Sequence, residues 1–294
     1  MRTLRQMRKH AALYLMVLPI AIYFLIFAYY PLLRGFIISL QDYRLIGNRP
    51  FVGLDNYLAV VRDPTFWQVV QNTLIISSGI LVVGFFVPIV VALALNEVLI
   101  AAFKKFAQMV IYLPHLFSWV VVGGIWIYLL SPDRGIVNAF IELLGGDPVS
   151  FLSRGDLARP IMILLPVWKD MGFNAILYLA AIVGISPHLY EAARIDGAGR
   201  WQQMRFVTLP QLVPTMKVVL LLSLMGVLRI FDEIFLLRNG AIQREVDVIM
   251  TYVYDKGILQ FKLGFATAAT FLVILGTIVL VVVARKATRF DLED

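Results

Sequence analysis

Six runs of apolar residues, each long enough to cross a bilayer as a helix, divide this chain from one end to the other. A hydrocarbon layer about 30 Å thick takes roughly 20 helical residues to span. The runs fall near residues 11–33, 73–95, 107–130, 160–184, 215–237 and 262–284. Four contain a proline (Pro19, Pro88, Pro114, Pro166), which membrane helices accept where neighbours satisfy the freed backbone groups. The expected architecture is an all-α membrane protein with six transmembrane helices.

Composition agrees. Hydrophobic residues make up 60% of the chain, charged residues 15%, and the mean hydropathy is +0.83; soluble domains carry about a quarter charged residues. The sequence reads as a short N-terminal segment (1–10), a first span (11–33), a loop (34–72), a membrane core (73–284) and a tail (285–294). The basic start MRTLRQMRKH would suit a secretion signal, but the apolar run after it is long and ends in AYYPLL, without a small-residue cleavage site. An uncleaved anchor is expected.

An even number of spans puts both ends on one side. Thirteen basic residues against six acids lie in the N-terminus, the loop after the second span, the segment after the fourth and the tail. The other three loops are longer in total and hold ten of each. Positive charge concentrates on the cytoplasmic side, so both termini are expected in the cytoplasm and loops 34–72 and 131–159 outside. The outer loops carry turn signals, NRPFVGLDN and GGDP, and an amphipathic piece around IVNAFIELL.

The same composition excludes several function classes. With no cysteine there is no disulfide, thiolate metal site or cysteine nucleophile. His10, His115 and His188 are far apart in sequence and are expected as surface or interfacial residues rather than metal ligands. The net charge of +7 is not gathered on one polar segment, and no nucleic-acid motif accompanies it. No serine–histidine pair, aspartyl pair or metal motif falls within the spans, which argues against an intramembrane enzyme.

Between the fourth and fifth runs lies EAARIDGAGRWQQMRFVTLP, residues 191–210, part of a polar segment at 186–214. Ser186 and Pro187 suit a helix cap and first position. A short helix over 187–196 would place Leu189, Ala192 and Ala193 on one face and Glu191 beside Arg194. Gly197 follows where a left-handed stop favours glycine. A second helix is expected from about Arg200, with Trp201, Met204 and Val207 on one side, and Pro210 and Pro214 leading into the fifth span. On these residues alone, the segment is equally well an interfacial amphipathic loop.

The spacing resembles the cytoplasmic EAA loop of ABC importer permeases: EAA, three residues, Gly, nine residues, Ile, one residue, Leu-Pro. This chain has Glu191-Ala192-Ala193, Gly197, Val207 in the isoleucine position and Leu209-Pro210. The stretches IYLPHLFSWVVVGGIW, WKDMGFNAILYLAAIVGISPHLYEAARIDGAGRW and GFATAATF are similar to the carbohydrate-uptake branch, nearest to permeases for oligosaccharides from degraded polysaccharides. The resemblance implies a type I importer permease fold. It also implies a second homologous permease completing the path, two ATPase subunits using ATP and Mg, and an extracytoplasmic solute-binding protein, of lipoprotein type in the nearest branch. Glu191, Ala192, Ala193, Asp196, Gly197, Leu209 and Pro210 would form the ATPase-coupling loop. The resemblance places the protein in a bacterial or archaeal-type cytoplasmic membrane. No glycine in the chain precedes a lysine, so it has no G-x-x-x-x-G-K-[ST] loop, and ATP is expected on another subunit.

Ionisable residues inside spans are costly and invite a functional reading. Trp168, Lys169, Asp170 and Asn174 fall in the fourth run, and Arg229, Asp232 and Glu233 in the fifth. Arg229 is spaced to neutralise itself against Asp232 and Glu233 on one helix. Lys169 and Asp170 are consecutive, so each is expected to need a partner on another helix. Structural pairing or gating competes with contact to a saccharide, whose hydroxyls suit Asn174, whose ring faces suit Trp168, and whose carboxylate, if it has one, suits Lys169 or Arg229. Trp119, Trp126 and Tyr128 read as interfacial anchors or packing. Gly264, Ala266, Thr267, Ala268, Ala269, Thr270 and Gly276 read as close helix packing. The alternative function, an ion-coupled secondary transporter, would show inverted repeats and paired broken helices; no internal repeat is visible.

Overall fold

The computed structural model describes residues 11–287. The basic N-terminal residues Arg2, Arg5, Arg8 and Lys9 and the end of the tail, with Arg289, lie outside the described residues. Five described helices are long and apolar enough to cross a membrane, and the bent pair Ala101–Leu116 and Trp119–Leu129 makes six when it is counted as one span. Two compact units divide the chain: Met1–Asp63 with Val253–Leu272, and Pro64–Tyr252 with Val273–Asp294.

In the smaller unit the first span runs past the expected 33 to Ser39, through Ala11–Phe24, a π-helical turn Leu25–Tyr29 and Tyr30–Ser39. Helix ends leave carbonyls without partners. Here the Asn56 side chain donates to the carbonyls of Ser39 and Gln41, each at 2.9 Å. Gly264 opens the last span, Leu263–Ala287, beside that same turn, where any Cβ would strike the Gln41 carbonyl. The small residues there admit close backbone approach, as the sequence predicts.

The larger unit is built on the second span, Pro64–Glu97, and the fourth, Gly155–Val183. The second begins well before the expected 73, because Pro64 is preorganised for the first helical turn. Two buried clusters hold these spans. One gathers Ile76, Met162, Leu165, Ile234, Leu237, Val246 and Val248. The other gathers Ile89, Ala92, Leu95, Ala175, Tyr178, Ile182, Leu212 and Val219. At Gly172 the Ile111 carbonyl comes so close that a Cβ would overlap it.

Two expected spans are not continuous helices. The run 107–130 forms Ala101–Leu116 and Trp119–Leu129, meeting at 104°. Pro114 has no N–H to continue the ladder. Phe117 and Ser118 are extended (ψ 144 and 155), and the Ser118 hydroxyl accepts from the Val121 N–H to start the new helix. The run 215–237 is helical only to Gly226. A 3₁₀ turn, Val227–Arg229, and two non-helical residues, Ile230 and Phe231, separate it from the short helix Asp232–Leu237.

The chain after Leu237 is clamped by polar contacts. Arg238 pairs with Asp247 at 2.9 Å. The fully buried Asn72 donates to the carbonyls of Arg244 and Asp247 (2.9 and 3.0 Å) and accepts from Arg159 at 2.9 Å. Arg159 also donates to the Glu245 carbonyl at 3.0 Å, and Thr73 accepts from the Ile249 N–H at 2.9 Å. In the 131–159 loop, the amphipathic helix is Ile136–Leu143. Its buried Asn138 donates to the carbonyls of Ser131 and Val149.

Candidate functional site

The polar arm between the fourth and fifth spans begins with the helix Pro187–Ile195. Ser186 holds the cap position, but its side chain makes no capping bond. Glu191, Ala192 and Asp196 are exposed and Ala193 is half-buried. Glu191 lies 3.2 Å from His188 rather than beside Arg194. The helix stops in a Schellman turn: Ala198 N–H donates to the Ala193 carbonyl (2.8 Å) and Gly197 N–H to the Arg194 carbonyl (3.0 Å). Gly197 takes φ +79, where a Cβ is disfavoured, and nothing lies within 4 Å of where that Cβ would sit. Glycine is therefore required by conformation and not by crowding.

Beyond Gly199 there is no separate second helix. Helical backbone runs unbroken from Arg200 to Gly226, with a π turn at Met204–Thr208. Leu209 and Pro210 lie inside this rod, not in a lead-in to it. The wider turn just upstream of Pro210 absorbs the missing donor, a common place for a π bulge. The Tyr190 and Thr208 hydroxyls, 3.0 Å apart, tie the short helix to that turn. The exposed arm is thus continuous with the fifth span and tied to its base. The arm also exposes Ile195 and Trp201, 86% and 69% accessible. Apolar side chains left this bare on a polar arm suit a contact surface.

Inside the bundle, Lys169 is 6% exposed. Its ammonium donates to the His115 carbonyl at 3.1 Å, lies 3.7 Å from Asp170 and faces the Trp119 ring at 5.4 Å. Asp170 in turn lies 2.8 Å from His115 Nδ1. The two consecutive charges therefore do approach each other, through a shared neighbour at the break in the third span. His115 also stacks on Phe173, centroids 4.4 Å apart; it is a partly buried member of the cluster rather than a surface residue. The helix break interrupts the ladder at His115, and Lys169 serves the carbonyl that is freed.

Arg229 behaves differently from expectation. The chain leaves helical geometry at Ile230 and Phe231, so helical spacing to Asp232 and Glu233 no longer applies, and no ion pair joins them among the described residues. Arg229 and Asp232 are exposed, whereas Glu233 is buried.

A cavity of about 240 Å³ lies among the second, fourth and fifth spans and the second half of the third. Asp170, Asn174, Glu233, Ser77, Ser223 and Trp119 line it, with apolar residues such as Ile80, Leu81, Met171 and Ile230 and with the helix end at Gly226. Of the candidate path residues, the structure brings Asp170, Asn174 and Glu233 together here. Trp168 turns to Trp126, edge to face at 5.4 Å, while Lys169, Arg229 and Asp232 do not line the space. His115, Trp119, Ser77 and Ser223 were not among the sequence candidates. Pro114 followed by Ser118, a stop and a start inside one apolar run, is the signal that points to His115 and Trp119; no sequence signal singles out Ser77 or Ser223.

Apolar helices of spanning length, a polar cavity among those of the larger unit and an exposed arm bonded to the fifth span suit a multi-pass membrane permease. Residues 75–289 match the family described as the binding-protein-dependent transport system inner membrane component, and the chain belongs to that family. Among curated relatives, it is 39% identical to the polygalacturonan/rhamnogalacturonan transport system permease protein YteP of Bacillus subtilis, over 99% of this chain and 92% of that one. It is 31% identical to the arabinooligosaccharides transport system permease protein AraP of the same organism, over 95% of this chain and 88% of the relative. Among solved structures, it superposes on a chain of a bacterial ABC transporter involved in import of the acidic polysaccharide alginate, with TM-score 0.92 and 37% identity over 100% of both. A second match, at TM-score 0.91 and 37% identity over 98% of each chain, is to that alginate transporter in complex with an alginate pentasaccharide-bound periplasmic protein. The chain has the type I importer permease fold and is a transport subunit rather than the ATPase; the ion-coupled alternative is left without support.

Proposed function

We propose that this chain forms one half of a saccharide path, completed by a second homologous permease, fed by an extracytoplasmic solute-binding protein and driven by two ATPase subunits seated on residues 186–214. The substrate is an oligosaccharide released from a degraded polysaccharide, in keeping with what the relatives are named for. ATP and Mg act on the ATPase subunits. Both termini face the cytoplasm.

The observation that carries this reading is the arm. Pro187–Ile195 is exposed, stopped by the left-handed Gly197 and bonded through Tyr190 to the base of the fifth span. Glu191, Ala192, Ala193, Asp196 and Gly197 form the part that meets the ATPase. Leu209 and Pro210 sit in the rod that carries the movement inward. Asp170, Asn174 and Glu233 face the path, and Lys169 holds the break in the third span as a gate element.

The chain lacks cysteine, so single cysteines report orientation directly. Ile195→Cys is expected to react with a membrane-impermeant maleimide only in inside-out vesicles, and Leu143→Cys only in right-side-out ones. Pull-down of the intact assembly is expected to recover a second permease and an ATPase, with a crosslink from Ile195→Cys to the ATPase. The reverse labelling pattern, or a crosslink to no nucleotide-hydrolysing subunit, contradicts the proposal.

A further inference from the structure

The cavity's lining shows a one-sided chemistry. Its polar groups are two carboxylates, Asp170 and Glu233, one amide, Asn174, and two hydroxyls, Ser77 and Ser223; its aromatic surface is Trp119. None of the described lining residues is Lys, Arg or His. Lys169 keeps its ammonium on the His115 carbonyl, 3.7 Å from Asp170 and over the Trp119 face, His115 Nδ1 lies 2.8 Å from Asp170, and Arg229 is exposed and does not line the cavity. Carboxylates and amide oxygens accept hydrogen bonds from sugar hydroxyls, whereas a buried carboxylate on the ligand needs a cationic partner to offset its desolvation.

We infer that this chain's wall of the path takes neutral, hydroxyl-bearing sugar units, and that the counter-charge for any uronate passing through comes from outside this chain. The space, at about 240 Å³, is below the about 300–1,000 Å³ of drug-sized pockets. It admits a short piece of a saccharide at a time. A uronate-bearing chain would present its hydroxyl edge to Asp170, Asn174 and Glu233 and its carboxylate edge to the opposite wall. This inference rests on the proposal that the cavity belongs to the translocation path.

The test uses the complete reconstituted importer and two probes of equal length, trigalacturonate and its carboxyl-reduced neutral counterpart. Within one assembly the binding protein's own preference is constant, so variants are compared by their acidic-to-neutral uptake ratio. Glu233→Gln, an isosteric change, and Asn174→Leu are expected to lower uptake of the neutral probe more than the acidic one. Ser223→Arg supplies the missing cation and is expected to raise the ratio on the order of tenfold, the worth of one hydrogen bond to a charged group. Lys169→Met is expected to leave the ratio unchanged. A ratio that collapses in Lys169→Met, or that fails to rise in Ser223→Arg while total uptake changes, overturns the inference but keeps the cavity on the path. Unchanged uptake of both probes in all the cavity variants removes the cavity from the path, and the inference with it.

Discussion

Lys169 donates a hydrogen bond across 3.1 Å to the backbone carbonyl of His115, the last residue but one of the third span's first half. A backbone carbonyl without a partner in hydrocarbon costs several kcal/mol, and so does an ammonium. The contact resolves both at one point. It explains how a lysine is kept in the fourth span and how a 104° bend is kept in the third.

Replacing Lys169 by Met is therefore expected to loosen the bend rather than alter substrate choice. Uptake of neutral and acidic saccharides should fall by the same factor, with a loss of about 1–3 kcal/mol in stability from the orphaned carbonyl. Lys169→Arg, which keeps a donor, should recover part of both. Parallel measurement of uptake and of thermal unfolding in detergent checks this; a loss confined to acidic saccharides would contradict it.

At the arm, Glu191→Lys is expected to abolish uptake while the chain still reaches the membrane in normal amount. Gly197→Val forces a branched side chain into left-handed backbone, a cost of about 1–2 kcal/mol, and should fray the Schellman turn with the same functional result. Normal transport with normal ATPase association in either variant counts against the coupling role.

Two glycines should respond differently to alanine. At Gly172 the new Cβ meets the carbonyl of Ile111, which is backbone and cannot rotate away. At Gly79 it meets only the side chain of Ile163. Gly172→Ala is expected to lower stability by about 1–3 kcal/mol, and Gly79→Ala by less, read as unfolding midpoints of the purified protein.

Asn72→Leu keeps the branched side-chain skeleton but removes the donor to two carbonyls and an acceptor for Arg159. The segment 243–254 should then exchange its amide hydrogens faster, while the coupling arm remains as protected as before. Equal loosening of both regions would show a global effect instead of a local clamp.

The sequence by itself determined the membrane class, the family and the local shape of the arm at 186–214. The class rests on span length against bilayer thickness and the Gly197 stop on backbone conformation, while the family rests on the resemblance of one contiguous stretch, residues 191–210, to the EAA loop. It also marked the charged residues of the fourth and fifth runs as special, because charge in an apolar run is costly wherever it points. Only the tertiary structure decided which of them share a space. Apolar periodicity does not register a bend, so runs 107–130 and 215–237 read as continuous, and only Pro114 and Ser118 mark the first of the breaks after Leu116 and Gly226. Those breaks bring His115 to Lys169 and Asp170, part Arg229 from Glu233, and aim Asp170, Asn174 and Glu233 at one cavity. Such partners lie far apart along the chain, and a one-dimensional pattern carries no record of which helix faces which.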